Sequence, residues 1–121
     1  KGPLNIGQDL RLLGHQHVFV LGDCGRCSVE PWPATAQVAM QQGEAVAAAL
    51  QATSNNQEPK TFQFQDRGEM LSLGIGNATL TGLGITLAGP LAFKIRRATY
   101  LTRLPGLSLG LRSAGAWLMS R

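Results

Sequence analysis

The segment His17–Cys27, with the sequence HVFVLGDCGRC, decides how the rest of the chain is interpreted. Its first part, HVFVL (residues 17–21), is a short run rich in β-branched and aromatic residues that ends at Gly22. Such a run is too short for a helix and predicts a strand buried on both faces, as in a parallel sheet. Gly22 and Asp23 would then lie at the carboxyl edge of that sheet, where doubly wound folds hold their ligands.

The next long segment, PATAQVAMQQGEAVAAALQAT (residues 33–53), predicts a helix. It is rich in alanine, begins after a proline and lacks clusters of β-branched residues. The backbone N–H groups and the positive dipole end at the start of this helix would face the same edge as Asp23. Gly22 would let a ligand approach the backbone closely. An acceptor for hydroxyls beside donors for a carbonyl suits the ribityl chain and the ring of a flavin.

The two cysteines, Cys24 and Cys27, offer a different chemistry, because a Cys-x-x-Cys pair can be a dithiol redox centre. The pair lies in CGRCSVEPWP (residues 24–33), however, which predicts a loop, and the helix starts only near Pro33, so the motif is weak here. His15 and His17 could complete a zinc set with the thiols, but they would lie at the opposite end of the predicted strand. The glycine and aspartate are therefore the preferred site.

The remaining segments predict a mixture of short strands and amphipathic helices. Residues 3–16 suggest a small β-meander, and SNNQEPK (residues 54–60) is the best linker. Residues 61–74 predict a hairpin that turns near Asp66–Gly68, and residues 78–89 a weak strand. Pro90 to Pro105 and residues 106–121 each predict a helix with one apolar face. These faces comprise Leu91, Ile95, Ala98 and Leu101 in the first helix, and Leu107, Leu111, Ala114 and Leu118 in the second.

Charge is distributed unevenly along a chain whose net charge is +4. Residues 1–69 carry five basic and seven acidic side chains, whereas residues 70–121 carry six basic and no acidic ones. Such asymmetry favours a polyanionic partner for the C-terminal half. Nucleic acid is disfavoured, because no recognition motif or stacking array is present. Basic residues interleaved with aromatic ones suit helices that lie in the interface of an anionic membrane. The predicted membrane-contact residues are Phe93, Lys94, Arg96, Arg97, Tyr100, Arg103 and Trp117.

The sequence VFVLGDCGRC…PWPATAQVAMQQGEAVA resembles the last FAD-contacting segment of type II NADH:quinone oxidoreductases. Two marks carry the resemblance: Gly-Asp after a strand, and the Ala-Gln-x-Ala-x-Gln pattern formed by Ala36, Gln37, Ala39 and Gln41. The likeness continues through GEMLSLGIGNATL, GPLAFKIRRATYLTRLPGL and AGAWL, and so covers nearly the whole chain. The later part is most similar to the cyanobacterial and plastid branch, which is linked to prenylated naphthoquinones and plastoquinone.

This resemblance implies a role for each site residue. Asp23, after Gly22, would hydrogen-bond the ribityl or phosphate-side hydroxyls of FAD, and the amides of Ala36, Gln37 and Val38 would face the flavin pyrimidine edge. Gln37 and Gln41 would line a quinone pocket together with Met40, which stands where some relatives have a histidine. From the residues alone, the two glutamines are better explained as solvated positions on a helix surface.

The family's two Gly-x-Gly-x-x-Gly fingerprints, for FAD and for NAD(P)H, are missing here, so the chain is expected to be a C-terminal piece that neither retains FAD nor works alone. The expected fold class is α+β: residues 1–55 would be the closing strand and helix of a doubly wound FAD domain, and residues 56–121 a hairpin with amphipathic helices for peripheral membrane association. An open strand edge and an apolar helix face would favour a homodimer or a domain-swapped form.

Two other functions remain open on the sequence. A sulfide:quinone or related flavoprotein would use Cys24 or Cys27 for sulfur chemistry. A non-enzymatic basic amphipathic module would bind membranes without any upstream sequence.

Overall fold

The computed structural model describes residues 2–119 and has an α+β fold with three helices and two small sheets. The chain forms two compact units, the first ending at Asp66 and the second beginning at Arg67. The α+β class predicted from the sequence is therefore confirmed.

The first unit contains a two-stranded parallel sheet and one long helix. Strand β1 (Leu4–Ile6) pairs in parallel with β2 (Gly25–Cys27), so that Ile6 stands opposite Cys27. A 3-10 turn at Gly22–Cys24 leads directly into β2. Helix α1 spans Ala36–Ser54 and confirms the predicted helix, with its first turn slightly later than expected. Its start is set by Thr35, whose extended backbone and hydroxyl cap the helix.

The strand predicted at residues 17–21 is wrong. Phe19 forms one isolated antiparallel bridge with Arg11, and the segment has no regular strand pairing. Val18 is 43% exposed and Leu21 37% exposed, so the run is not buried on both faces. The pairing partner is the irregular stretch around Leu10 rather than a second parallel strand. The strand lies instead at 25–27, inside a segment that the sequence predicted as loop.

The core of the first unit lies between the parallel pair and α1. Its largest fully buried side chains are Leu10 and Cys27. Trp32 packs its edge against Phe62, with ring centroids 4.9 Å apart, and joins the proline-rich loop to the segment after α1. The buried core consists of Ile6, Leu10, Val20, Cys27, Val38, Val46 and Phe62.

The second unit contains a three-stranded antiparallel sheet in the order β3-β4-β5. The strands are β3 (Glu69–Ser72), β4 (Ala78–Gly82) and β5 (Ile85–Gly89). The register pairs Gly82 with Ile85, so Leu83 and Gly84 alone form the β4–β5 turn. Both have positive φ, 52° and 76°, as a type I′ turn requires.

The hairpin predicted with a turn near Asp66–Gly68 is wrong. Strand β3 pairs with β4, through residues 73–77, and not with the segment around Phe62 and Phe64. Phe62 belongs to the core of the first unit, and its N–H donates to the carbonyl of Gln8 at 2.8 Å. Phe62 packs beside Trp32 and Phe64 packs against the same core, so their alternation reflects core packing and not strand pairing.

Both predicted C-terminal helices are present, as α2 (Pro90–Leu101) and α3 (Leu107–Met119). Helix α2 packs on β4 and β5, and the two fully buried contact residues are Ala78 and Ala92. Most large apolar side chains of the predicted faces stay exposed, notably Leu107 at 87% and Leu111 at 73%. None of the helices in residues 2–119 is both long and apolar enough to cross a membrane.

Candidate functional site

A cleft of about 240 Å³ opens in the first unit beside the 3-10 turn and the start of α1. Asp23 lines it from the turn, and Val38 and Gln42 line it from the helix. Its walls also include Pro3, Gly22, Gly25, Arg26, Cys27, Pro31, Trp32, Pro33 and Ala34. Three of the predicted cofactor-binding residues, Gly22, Asp23 and Val38, thus share one cavity, although the segment before them is not a strand.

A hydrogen bond joins the turn that carries Asp23 to α1. The N–H of Gly22 donates a hydrogen bond to Oε1 of Gln42 at 2.6 Å. Gly22 has φ 64°, and a Cβ at this position would lie 3.4 Å from the Cβ of Ala39. Because a side chain at 22 would be both strained and in tight contact, glycine suits this close approach. Asp23 itself is exposed, so its carboxylate is available to a ligand.

The first turn of α1 brings backbone donors to the same region. In any α-helix the first N–H groups have no partner within the helix. Here the Thr35 hydroxyl accepts from the N–H of Val38 at 3.3 Å, and Val38 is buried at 3% exposure. Ala36 is exposed and Gln37 half-buried, and neither lines the cleft.

The residues predicted to line a quinone pocket differ in how they are held. Met40 is 52% exposed. The Gln41 carboxamide pairs with the backbone of Gln65 in both directions: Nε2 donates to the carbonyl at 2.9 Å, and Oε1 accepts from the N–H at 3.0 Å. These two hydrogen bonds hold the segment after α1 against the helix. They satisfy the backbone N–H and carbonyl of Gln65, as pairing with a neighbouring strand would. Sequence reasoning missed this contact, because no local pattern marks it.

The two thiols lie in different environments. Cys24 is exposed and Cys27 is buried in the core of the first unit, and both are free. Within residues 2–119, no three His, Cys, Asp or Glu side chains come together as a metal site.

The aromatic and basic residues of the second unit contact each other. The Arg97 guanidinium lies 4.1 Å from the ring centroid of Trp117 and 5.6 Å from that of Phe93. Arg96 and Arg103 lie 4.7 Å and 5.7 Å from the ring centroid of Tyr100. The Arg97–Trp117 contact joins α2 to α3. Arg97 therefore contributes to the packing of the helix pair as well as to its positive charge. Lys94 is exposed.

Two further residues were missed from the sequence. Gln42 is 2% exposed and the buried polar residue of the first unit's cleft. Its spacing from Val38 and Val46 is four residues on each side, which places it on the buried face of α1 and could have identified it. Leu83 is fully exposed at the tip of the β4–β5 turn, where Asn-Gly is the usual sequence.

Comparison with known proteins finds relatives that are named as oxidoreductases. It is 38% identical over 129 residues to demethylphylloquinone reductase NdbB of Synechocystis sp., which covers 98% of this chain and 32% of that relative. It is 37% identical over 98 residues to a type II NADH:quinone oxidoreductase of Staphylococcus aureus, which covers 78% of this chain and 23% of that relative. No family model matches.

The chain is therefore homologous to the type II NADH:quinone oxidoreductases over most of its length, as the sequence resemblance predicted. It spans a third or less of the length of these relatives.

Proposed function

We propose that this chain is part of a membrane-associated flavoprotein that passes electrons from NAD(P)H through FAD to a membrane quinone, and that it is inactive without the rest of that protein. The observation that carries the proposal is the cleft, in which the Gly22–Asp23 turn is fastened to the start of α1. Homology to NADH:quinone oxidoreductases gives the reaction class.

The residues around the cleft fit one part of FAD. At about 240 Å³ the cleft is small for a ligand of drug size, so it would take a portion of the dinucleotide and leave the remainder to other segments. The exposed Asp23 carboxylate accepts hydrogen bonds from hydroxyls, as a ribityl chain presents them. The N–H groups of Ala36 and Gln37, at the positive end of α1, would face a carbonyl of the flavin ring.

When bound, FAD supplies the two-electron chemistry between nicotinamide and quinone, and the protein supplies binding and orientation. Gly22 lets the turn that carries Asp23 approach α1 closely, and Val38 provides an apolar wall of the cleft.

Gln37, Met40 and Gln41 are proposed to face the quinone from α1. Met40 offers a half-exposed, flexible apolar surface for a quinone ring. Gln41 uses one Nε2 hydrogen on Gln65 and keeps the second for a quinone carbonyl. Met40 itself is not titratable, so it cannot exchange a proton with the quinone.

The second unit is proposed to hold the protein on an anionic membrane. Its basic side chains stand beside Phe93, Tyr100 and Trp117, aromatic residues typical of membrane interfaces. Each basic group near an anionic leaflet contributes about 1 kcal/mol.

The experiment that tests the cofactor role is FAD binding by the full-length protein carrying Asp23→Ala. The variant loses a hydrogen bond to a charged group, which contributes about 1.5 kcal/mol or more to binding. The Kd for FAD should therefore rise at least about tenfold. Glu44→Ala, which removes an exposed carboxylate from α1, is the matched control and should leave the Kd unchanged. Equal affinity in the Asp23 and Glu44 variants would reject the proposal.

A further inference from the structure

We propose that Gln42 is a cofactor-contacting residue, which donates a hydrogen bond from Nε2 to an oxygen of the FAD that Asp23 also binds. The inference rests on the proposed function and adds to it a residue outside the Ala-Gln-x-Ala-x-Gln pattern. The group that it would recognise is an oxygen acceptor, either a carbonyl or a phosphate oxygen, next to the hydroxyls received by Asp23.

The orientation of the Gln42 carboxamide is fixed by its partner. The N–H of Gly22 is a donor, so the atom 2.6 Å from it must be the carboxamide oxygen. The Nε2 group therefore points away from Gly22. None of the described residues (2–119) accepts a hydrogen bond from it.

Burial makes this unused donor informative. Gln42 is 2% exposed, and its neighbours on the same face of α1 are Val38 and Val46. An apolar residue of similar size would fit the same face, so an amide at this position indicates a polar contact. Gln42 lines the cleft together with Asp23, so the cleft is where its donor meets an acceptor.

The carboxamide would thus do two things at once. Its oxygen holds the Gly22 amide, and with it the turn that carries Asp23, against α1. Its nitrogen contacts the ligand that Asp23 binds. Glutamine is suited to this pair of roles, because it offers an acceptor and two donors on one planar group.

The test compares Gln42→Glu with Gln42→Met in the full-length protein, with Gln51→Glu on the exposed side of α1 as control. Glutamate keeps the oxygen that accepts from Gly22 but has no N–H to offer a ligand. Methionine keeps the side-chain volume but has neither the acceptor oxygen nor the N–H donor. FAD binding is measured by quenching of flavin fluorescence, and the folding of each FAD-free protein by its Tm.

If Nε2 contacts FAD, both Gln42 variants raise the Kd at least tenfold while Gln51→Glu does not. A Gln42→Glu protein that folds and binds FAD within threefold of the wild type would overturn the inference, because the oxygen alone would then account for Gln42. If the glutamate variant does not fold, the Kd of Gln42→Met for FAD decides. A Kd at least tenfold above that of the wild type supports the contact, and a Kd within threefold of the wild type overturns it.

The same titration separates this inference from the proposed function. A wild-type full-length protein that binds no FAD would reject both. A wild-type protein that binds FAD, with Gln42 variants that bind it equally well, would reject the contact alone.

Discussion

Replacing Leu83 by asparagine should make the second unit more stable and its membrane binding weaker. Leu83 is fully exposed and has φ 52°, in a two-residue turn completed by Gly84. A leucine in the left-handed region costs about 1 kcal/mol, and Asn-Gly is the preferred pair for this type of turn. A side chain that is unfavourable for the fold and packs against nothing within the unit is a strong candidate for contact outside it.

The size of the membrane effect follows from the exposure of Leu83. Transferring a fully exposed leucine from water into a lipid environment contributes about 1.5–3 kcal/mol, which corresponds to about a 10- to 150-fold change in the partition coefficient. Leu83→Asn should lose an effect of this size. In the same variant, the free energy of unfolding of the second unit should be about 1 kcal/mol higher than in the wild type.

The assay is co-sedimentation of the full-length protein with vesicles that contain anionic lipid, at fixed ionic strength. Leu83→Met is the matched control, because it keeps an apolar side chain in the same strained conformation, and it should bind within a few-fold of the wild type. Vesicle binding by Leu83→Asn that stays within twofold of the wild type would refute the reasoning.

Three further variants test individual contacts. Gln41→Met removes both hydrogen bonds to Gln65 and should cost about 1–2 kcal/mol of stability, with faster hydrogen exchange at the Gln65 amide. Gly22→Ala places a side chain at φ 64° and should cost about 1–2 kcal/mol in denaturant unfolding. Arg97→Met removes the guanidinium 4.1 Å from the Trp117 ring centroid, which should cost about 0.5–1 kcal/mol and change the tryptophan fluorescence.

Each of these variants has its own contradicting result. Unchanged exchange at Gln65 would mean that the backbone there is held by other groups. A Gly22→Ala protein as stable as the wild type would show that the turn relaxes without cost. Fluorescence insensitive to Arg97, against an Arg112→Met control on α3, would place the guanidinium away from the ring.

Helix α1 was predictable because local signals agree along its whole length. Alanine-rich composition and the proline before it both favour a helix that begins near residue 35, and the Thr35 cap sets its start in the structure. Residues 17–21 illustrate the opposite case. An apolar run of strand-forming residues predicts a buried strand only if parallel neighbours are available on both sides, and the composition of the run does not contain that information. Its neighbour is the irregular stretch around Leu10, so it forms one isolated bridge instead.

The hairpin error has a similar origin. Phe62 and Phe64 alternate as strand residues do, but the partner of Phe62 is Trp32, about thirty residues earlier in the chain. The backbone hydrogen bonds that a strand would have provided come from the Gln41 side chain. Side-chain pairing of this kind depends on tertiary contact and has no periodic signature.

Part of the candidate site was accessible from the sequence. A glycine and an aspartate that precede an alanine-rich helix do come together with Val38 around one cleft. The sequence did not predict how the turn is held, because Gln41, Gln42 and Gln37 look equivalent on such a helix. Only their positions relative to Val38 and Val46 distinguish the buried glutamine from the two half-buried ones.

The central claim is that the cleft of the first unit binds part of FAD in a quinone-reducing enzyme. The most direct measurement is the flavin content and NADH-dependent quinone reduction of the purified full-length protein, compared with its Asp23→Ala variant. The account predicts one FAD per wild-type polypeptide, quinone reduction by NADH or NADPH, and loss of both flavin and activity in the variant. A full-length protein that contains no flavin, or a variant that retains its flavin and full activity, would contradict it.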